Sequence, residues 1–203
     1  SDGDQYFTWS PDSKWLLADY MGNGGWNNVD VALIDAEGKE EPVNLTQSGY
    51  TDSHARWVMG GKAMIFASDR AGYRSHGSWG SHRDVYITFF DAEAYNKFRM
   101  NKEDRALLEE AEKAGKKQEN KDSTDKEKKV EALKLQLDNL SDRTMRITFQ
   151  SSHLSDAVMN NEGTRLYYLA PHNGNMALWV RDFLEERTEL KMQRIDARSF
   201  QLD

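Results

Sequence analysis

The stretch Trp9-Ser10-Pro11-Asp12-Ser13-Lys14-Trp15-Leu16-Leu17 decides the reading of this chain, because its pattern returns twice. The second copy is Trp57-Val58-Met59-Gly60-Gly61-Lys62-Ala63-Met64-Ile65-Phe66. The third is Met159-Asn160-Asn161-Glu162-Gly163-Thr164-Arg165-Leu166-Tyr167-Tyr168. Each copy is a large apolar residue, a tight polar turn, and a run of bulky apolar side chains. With a charged insertion in the second unit set aside, the copies lie about 48 residues apart. A period of roughly 40–50 residues built from short strands is the signature of a β-propeller. The sequence therefore predicts an all-β chain, a β-propeller fragment of about three four-stranded antiparallel blades, with a partly helical charged insertion in the second.

Working outward from the first copy, Trp15 to Tyr20 and Asp30 to Asp35 read as strands, and Ala36-Glu37-Gly38-Lys39 as a hairpin turn. Pro42 to Thr46 reads as a short edge strand, where the missing proline N–H can face solvent. In the second unit Ala63 to Ser68 and Asp84 to Phe90 are strands, joined by a long polar loop from Asp69 to His82. In the third, Arg165 to Ala170 precedes a turn at Pro171 to Asn175 and a strand at Ala177 to Arg181. The units read as blade one at about 1–48, blade two at about 49–150 and blade three at about 151–195. Residues 196–203, with Arg198 to Leu202 as a strand, open a further blade. The second blade carries an insertion at about 93–138. There Asn101 to Lys117 is helix-forming, Gly115 to Lys129 is too polar to offset its ordering entropy and reads as mobile, and Leu133 to Leu137 returns to strand. Thr144 to Phe149 is the outer strand.

Composition narrows the function. The net charge is −7, and no basic cluster is interleaved with aromatics, so nucleic acid is not the expected partner. No run approaches the roughly 18 apolar residues that span a bilayer, and no membrane role is expected. The chain opens inside a repeat, so an upstream leader is compatible with it. The absence of Cys excludes disulfides and thiolate chemistry.

The turn Trp9 to Lys14 resembles the W-S-P-D-G-K phrase of the TolB-like, or PD40, propeller repeat, with Ser13 where that phrase has Gly. Val58-Met59-Gly60 departs further, and both substitutions predict altered turn geometry. The stretch Leu135 to Arg146 resembles the outer strand of propellers in tricorn-like serine peptidases of the S41 group. The Lys/Glu-rich insertion before it, with Leu154-Ser155-Asp156-Ala157-Val158 after it, resembles the Bacteroidetes branch of that family. The resemblance covers Tyr6 to about Ile195. It implies a periplasmic peptidase whose propellers filter and channel peptides or unfolded protein to a catalytic core. No segment here matches that core, so no catalytic residue carries over. The chain is expected to be a non-catalytic piece of the propeller region, without cofactor or metal. The alternatives are a TolB-like module for protein–protein binding and a cap on an enzyme of another hydrolase class.

The candidate contact residues are Tyr73, Arg74, His76, Trp79 and His82 in the second blade's loop, because loops on a rigid scaffold carry recognition and these side chains anchor partners. His76 and His82, six apart in a loop, do not by spacing make a metal site, which needs three or four converging ligands. Asp52-Ser53-His54 and His153-Leu154-Ser155-Asp156 are sequence-local triplets, whereas triads converge from distant segments. The recurrence of Asp19, Asp30, Asp35, Asp69 and Asp84 at strand ends argues for hydrogen bonding within the blades. Three blades leave two open flanks, and a homodimer through them is expected.

Overall fold

The structure is a computed structural model that describes residues 5–22, 28–76, 79–119 and 132–202. Among the described residues twelve strands form three four-stranded sheets, each with its strands in chain order and every pairing antiparallel. The first holds β1 (Phe7–Trp9), β2 (Trp15–Tyr20), β3 (Asp30–Asp35) and β4 (Val43–Asn44). The second holds β5 (Asp52–Val58), β6 (Ala63–Ser68), β7 (Asp84–Phe89) and β8 (Thr144–Arg146). The third holds β9 (Asp156–Met159), β10 (Arg165–His172), β11 (Asn175–Asp182) and β12 (Arg187–Met192). This is the three-bladed arrangement the repeat predicts.

The repeated phrase is the first hairpin of each blade. Ser10 Oγ accepts the Lys14 and Trp15 amides at 3.2 and 3.0 Å, and Asn160 Oδ1 accepts those of Thr164 and Arg165 at 2.9 and 2.7 Å. In both turns the fourth residue donates back to the first, Ser13 to Ser10 and Gly163 to Asn160, at 3.0 Å. Ser13 sits at φ 58° and Gly163 at φ 67°. Ser13 therefore takes up the glycine conformation, and the expectation of altered geometry there is corrected: the three hydrogen bonds that Ser10 accepts outweigh one strained φ. The second turn is altered, with Met59, Gly60 and Gly61 all left-handed.

Side chains alternate across each strand, so each blade has two faces to bury. Leu17, Val31 and Leu33 of the first blade meet Met64, Phe66 and Tyr86 of the second. The other face of the second blade, with Ile65, Val85, Ile87 and Phe89, meets Met159, Leu166 and Tyr168 of the third. The blade is thus the unit and the inter-blade contact is the core.

Several strand boundaries differ from the sequence reading. Pro171 and His172 belong to β10, and the turn tightens to Asn173 and Gly174, both at positive φ (48° and 79°). Residues 132–137 pair with no strand. Arg198 to Leu202 forms no strand either. Its backbone is tied instead by Ser155 Oγ to the Arg198 carbonyl and by Phe200 N to Asp156. The insertion opens with an unforeseen helix, α1 (Ala92–Phe98), capped by Asp91 accepting the Ala94 amide. The helix α2 (Lys102–Glu119) follows and reaches into the stretch read as mobile, whose remainder lies outside the described residues.

The insertion spans one end of all three blades. Phe98 packs on Phe183 of the third blade with ring centroids 5.0 Å apart, and Arg105 Nη2 donates to the Glu162 carbonyl at 3.2 Å. On the way back the Leu133 amide donates to Asp12 of the first blade at 2.9 Å. Leu135 and Leu137 then join the contact between blades one and two.

Candidate recognition face

Because every blade is an antiparallel meander, its connections fall at two ends. The β2–β3, β4–β5, β6–β7, β8–β9 and β10–β11 connections share one end, the loop face, and the insertion occupies the other. Bonds between blades confirm the grouping: Asp52 N donates to Val29 O at 2.7 Å, His54 N to Asp19 Oδ1 at 2.8 Å, and Arg83 N to Ser152 O at 2.7 Å.

The loop face is founded on buried aspartates. Asp30 accepts from Asn44 Nδ2, Thr46 Oγ1 and the Ser48 amide at 2.8, 3.0 and 2.9 Å. Asp84 repeats the device with Arg146 Nε, Thr148 Oγ1 and Ser151 Oγ at 2.8, 2.7 and 2.6 Å. In each case the threonine hydroxyl also accepts the amide that follows the aspartate, Val31 or Val85, at 3.0 and 3.1 Å. Asp and Thr thereby lock the outer strand to its neighbour. Register places Ala177 at the matching point of the third blade, which lacks the device. The reading of the recurrent aspartates as strand-end anchors agrees with these bonds.

Two more buried acids organise the second blade's loop. Asp52 Oδ2 accepts Arg70 Nη2 at 2.5 Å and Ser48 Oγ at 2.7 Å. Arg70 lies over Tyr86 and Phe66, its guanidinium carbon 4.8 and 5.6 Å from their centroids. Asp69 accepts the Thr51 amide at 3.0 Å and faces Arg74 Nε at 3.5 Å. Burial pushes the Asp19 carboxyl above its usual pKa despite the His54 amide and the His54 and Arg83 charges, and burial likewise raises the Tyr86 phenol.

Of the five candidate contact residues, the structure gathers three. Tyr73 and His82 close the loop through His82 N to Tyr73 O at 2.8 Å, with their rings 5.9 Å apart. Arg74 donates to Asn28 of the first blade at 2.9 Å and lies over Tyr50, 5.4 Å from its centroid. Trp79 and His76 are exposed further along the loop, Trp79 at 75%. Sequence reasoning missed His153, whose ring meets His82 at 4.5 Å, and Tyr50; both lie in neighbouring connections. Gly72 is required at the loop's base, where a Cβ would come within 2.2 Å of the His82 carbonyl oxygen.

Neither sequence triplet has the connectivity of a triad. Ser53 Oγ is buried and contacts His54 Nδ1 and Arg83, while Asp52 is bound to Arg70. Ser155 donates to Arg198 O, and Asp156 pairs with Arg56 at 2.9 Å. Among the described residues no three His, Asp or Glu side chains form a cation-binding group. No described helix is long and apolar enough to cross a membrane.

Solved structures share this arrangement. The chain superposes on TolB from Acinetobacter baumannii with a TM-score of 0.54 at 18% identity, covering 94% of this chain and 32% of that one. The fold is that of a TolB-like β-propeller. The tricorn protease matches with a TM-score of 0.56 at 12% identity over 92% of this chain and 18% of the protease. A putative TolB from Agrobacterium tumefaciens matches at 0.52 and 12% identity over 98% of this chain and 54% of its own. The chain thus spans about a third, a fifth and a half of these proteins. No family profile matches the sequence, and no curated protein matches it.

Proposed function

We propose that this chain is a non-catalytic β-propeller segment of a tricorn-like, S41-group serine peptidase of the Bacteroidetes type, which gates or channels peptides to a catalytic core outside this chain. The observation that carries the reading is the loop face: a rigid three-blade base, fastened by buried aspartates, presents Tyr73 and Trp79 at 65% and 75% exposure. Rigid scaffolds with exposed aromatic loops suit transient handling of extended chains. The likeness of the fold to the tricorn protease supports the reading, as do the outer-strand and insertion motifs. A periplasmic location follows from it. The test compares a catalytic core with and without this segment, on long and short peptides of one cleavage sequence. The segment should change kcat/KM for the long peptide by several-fold more than for the short one, and equal effects on both would refute gating.

A second reading is a TolB-like module that docks a folded protein through the same loop, favoured by the exposure of Trp79. Capture of a stable partner by the wild type and its loss in Trp79→Ala would select this reading, since gating needs no lasting complex.

A further inference from the structure

The ionisable residues are divided between the two ends of the blades. The loop-face connections, residues 21–29, 45–51, 69–83, 147–155 and 173–174, contain no Glu and no Lys. Their one carboxylate, Asp69, is 1% exposed. Among the described residues every Glu and Lys falls instead in the connections of the opposite end or in β12. The five His take the reverse course, each in a loop-face connection or in a strand near its loop-face end.

Burial sharpens this division. The side chains of Asp52, Asp69 and Asp84 are fully buried, while the arginines paired with them, Arg70, Arg74 and Arg146, keep 23%, 34% and 34% of theirs exposed. Each pair is a dipole with its positive end toward water, where the low-dielectric base strengthens its outward field. Arg83 adds a guanidinium with no ion pair among the described residues; its hydrogen bond is to Ser53. Asp19, half-buried, is an acid whose carboxyl feels the Arg83 charge. Among the described residues the loop face thus offers solvent guanidinium groups whose carboxylate partners are buried beneath them, and that local field favours an anionic segment there.

We infer that the loop face binds extended peptide segments rich in Asp and Glu, with guanidinium groups meeting the carboxylates and Tyr73 and Trp79 covering the intervening apolar residues. Arginine forks suit planar carboxylates. The cations are separate and each is partly offset from beneath, an arrangement that matches scattered carboxylates and not a continuous phosphate backbone. This inference rests on the peptide reading above and adds the charge class of the peptide.

The test titrates the chain with three 12-residue peptides of equal apolar content, carrying Glu, Gln or Lys at the same positions, by calorimetry. The Glu peptide should bind at least tenfold more tightly than the Gln peptide, the Lys peptide should not bind, and raising salt from 50 to 300 mM should weaken the Glu peptide several-fold. Ala71→Glu and Gln150→Glu place acids at exposed positions of the face without touching a buried pair, and should erase the preference. Glu185→Gln, at the opposite end, should leave it intact. Equal affinity for all three peptides, or preference for Lys, overturns the charge assignment and leaves peptide binding standing. Failure of all three overturns both. Tighter binding to anionic vesicles or single-stranded DNA than to the Glu peptide overturns the assignment to peptide.

Discussion

Ser13 and Gly163 occupy the same corner of the same turn, one with a side chain and one without. A left-handed backbone costs an L-residue roughly 1–2 kcal/mol, against about 0.5–1 kcal/mol of extra chain entropy when glycine is ordered. Ser13→Gly should therefore stabilise the fold by up to about 1 kcal/mol, read as a higher urea midpoint with unchanged slope. Gly163→Ser should lose roughly 1–2 kcal/mol or more, because its Cβ would also meet Met59 Sδ at 2.7 Å. The Asp–Thr lock gives a second test. Thr148→Val removes both a donor to Asp84 and an acceptor for Val85 N–H at a buried site, which should cost about 1–3 kcal/mol in denaturant unfolding.

The carboxylates also set the pH response. Burial works against Asp12, but the Leu133 amide, Ser10, the Lys14 amide and the Lys14 charge together hold its pKa below the ordinary value. Asp182 is held low in the same way by the Glu185 and Leu184 amides and by Arg165. Both contributions are complete above the unfolded carboxylate pKa of about 4 and are lost as pH falls through the folded values. Asp19 has the opposite sign, since burial raises its pKa. Its contribution is complete below the unfolded value and is lost as pH rises through the folded one. Asp19→Asn keeps an acceptor for the His54 amide, so at pH 7 it should be at least as stable as wild type, and its relative advantage should shrink on acidification. A fall in thermal midpoint at pH 7 would contradict this.

Among the elements, the insertion is the one whose role departs most from its composition. Its sequence reads as a charged, partly helical excursion with a mobile middle, yet α1 places Phe98 between Phe89 and Phe183, 5.2 and 5.0 Å from their centroids. The returning limb lays Leu133 against Gly61, where a Cβ would come within 2.6 Å of it. The insertion thus straps the second blade to both neighbours. Phe98→Ala should cost about 1–3 kcal/mol and lower the thermal midpoint of the whole chain cooperatively; a separate early transition would mean the helices are not coupled to the blades. Strands β2, β3 and β6 were legible to the residue, because their apolar runs end at turn-forming polar residues. The short β4 and β8 were not. Their edges are fixed by where Asp30 and Asp84 find Thr46 and Thr148, which is a partnership across 16 and 64 residues. The candidate site was legible as one loop only. His153, Tyr50 and Asn28 come to it from other connections, and no local pattern marks them.

At the scale of the molecule, Trp9 and Trp57 hold matching register positions, opposite Leu16 and Met64. Trp57 is packed into the contact with the first blade, its ring 5.3 Å from Phe90. Trp9 and its neighbour Phe7 are 54% and 55% exposed on the first blade's free face. That face has the composition of an inter-blade contact with nothing upon it among the described residues, and such surfaces associate. Sedimentation velocity should show concentration-dependent dimerisation that Trp9→Lys suppresses, and a monomer at all concentrations would argue against it.

By itself the sequence determined the blade, because a strand–turn–strand phrase is written in local chemistry: the capping side chain, the left-handed corner and the apolar alternation are all within ten residues of each other. Only the tertiary structure decided what the blades make together. Burial of aspartates beneath arginines, the gathering of three connections around Tyr73 and the strap across the far end all depend on partners distant in sequence, where desolvation and packing, and not local propensity, choose the contact.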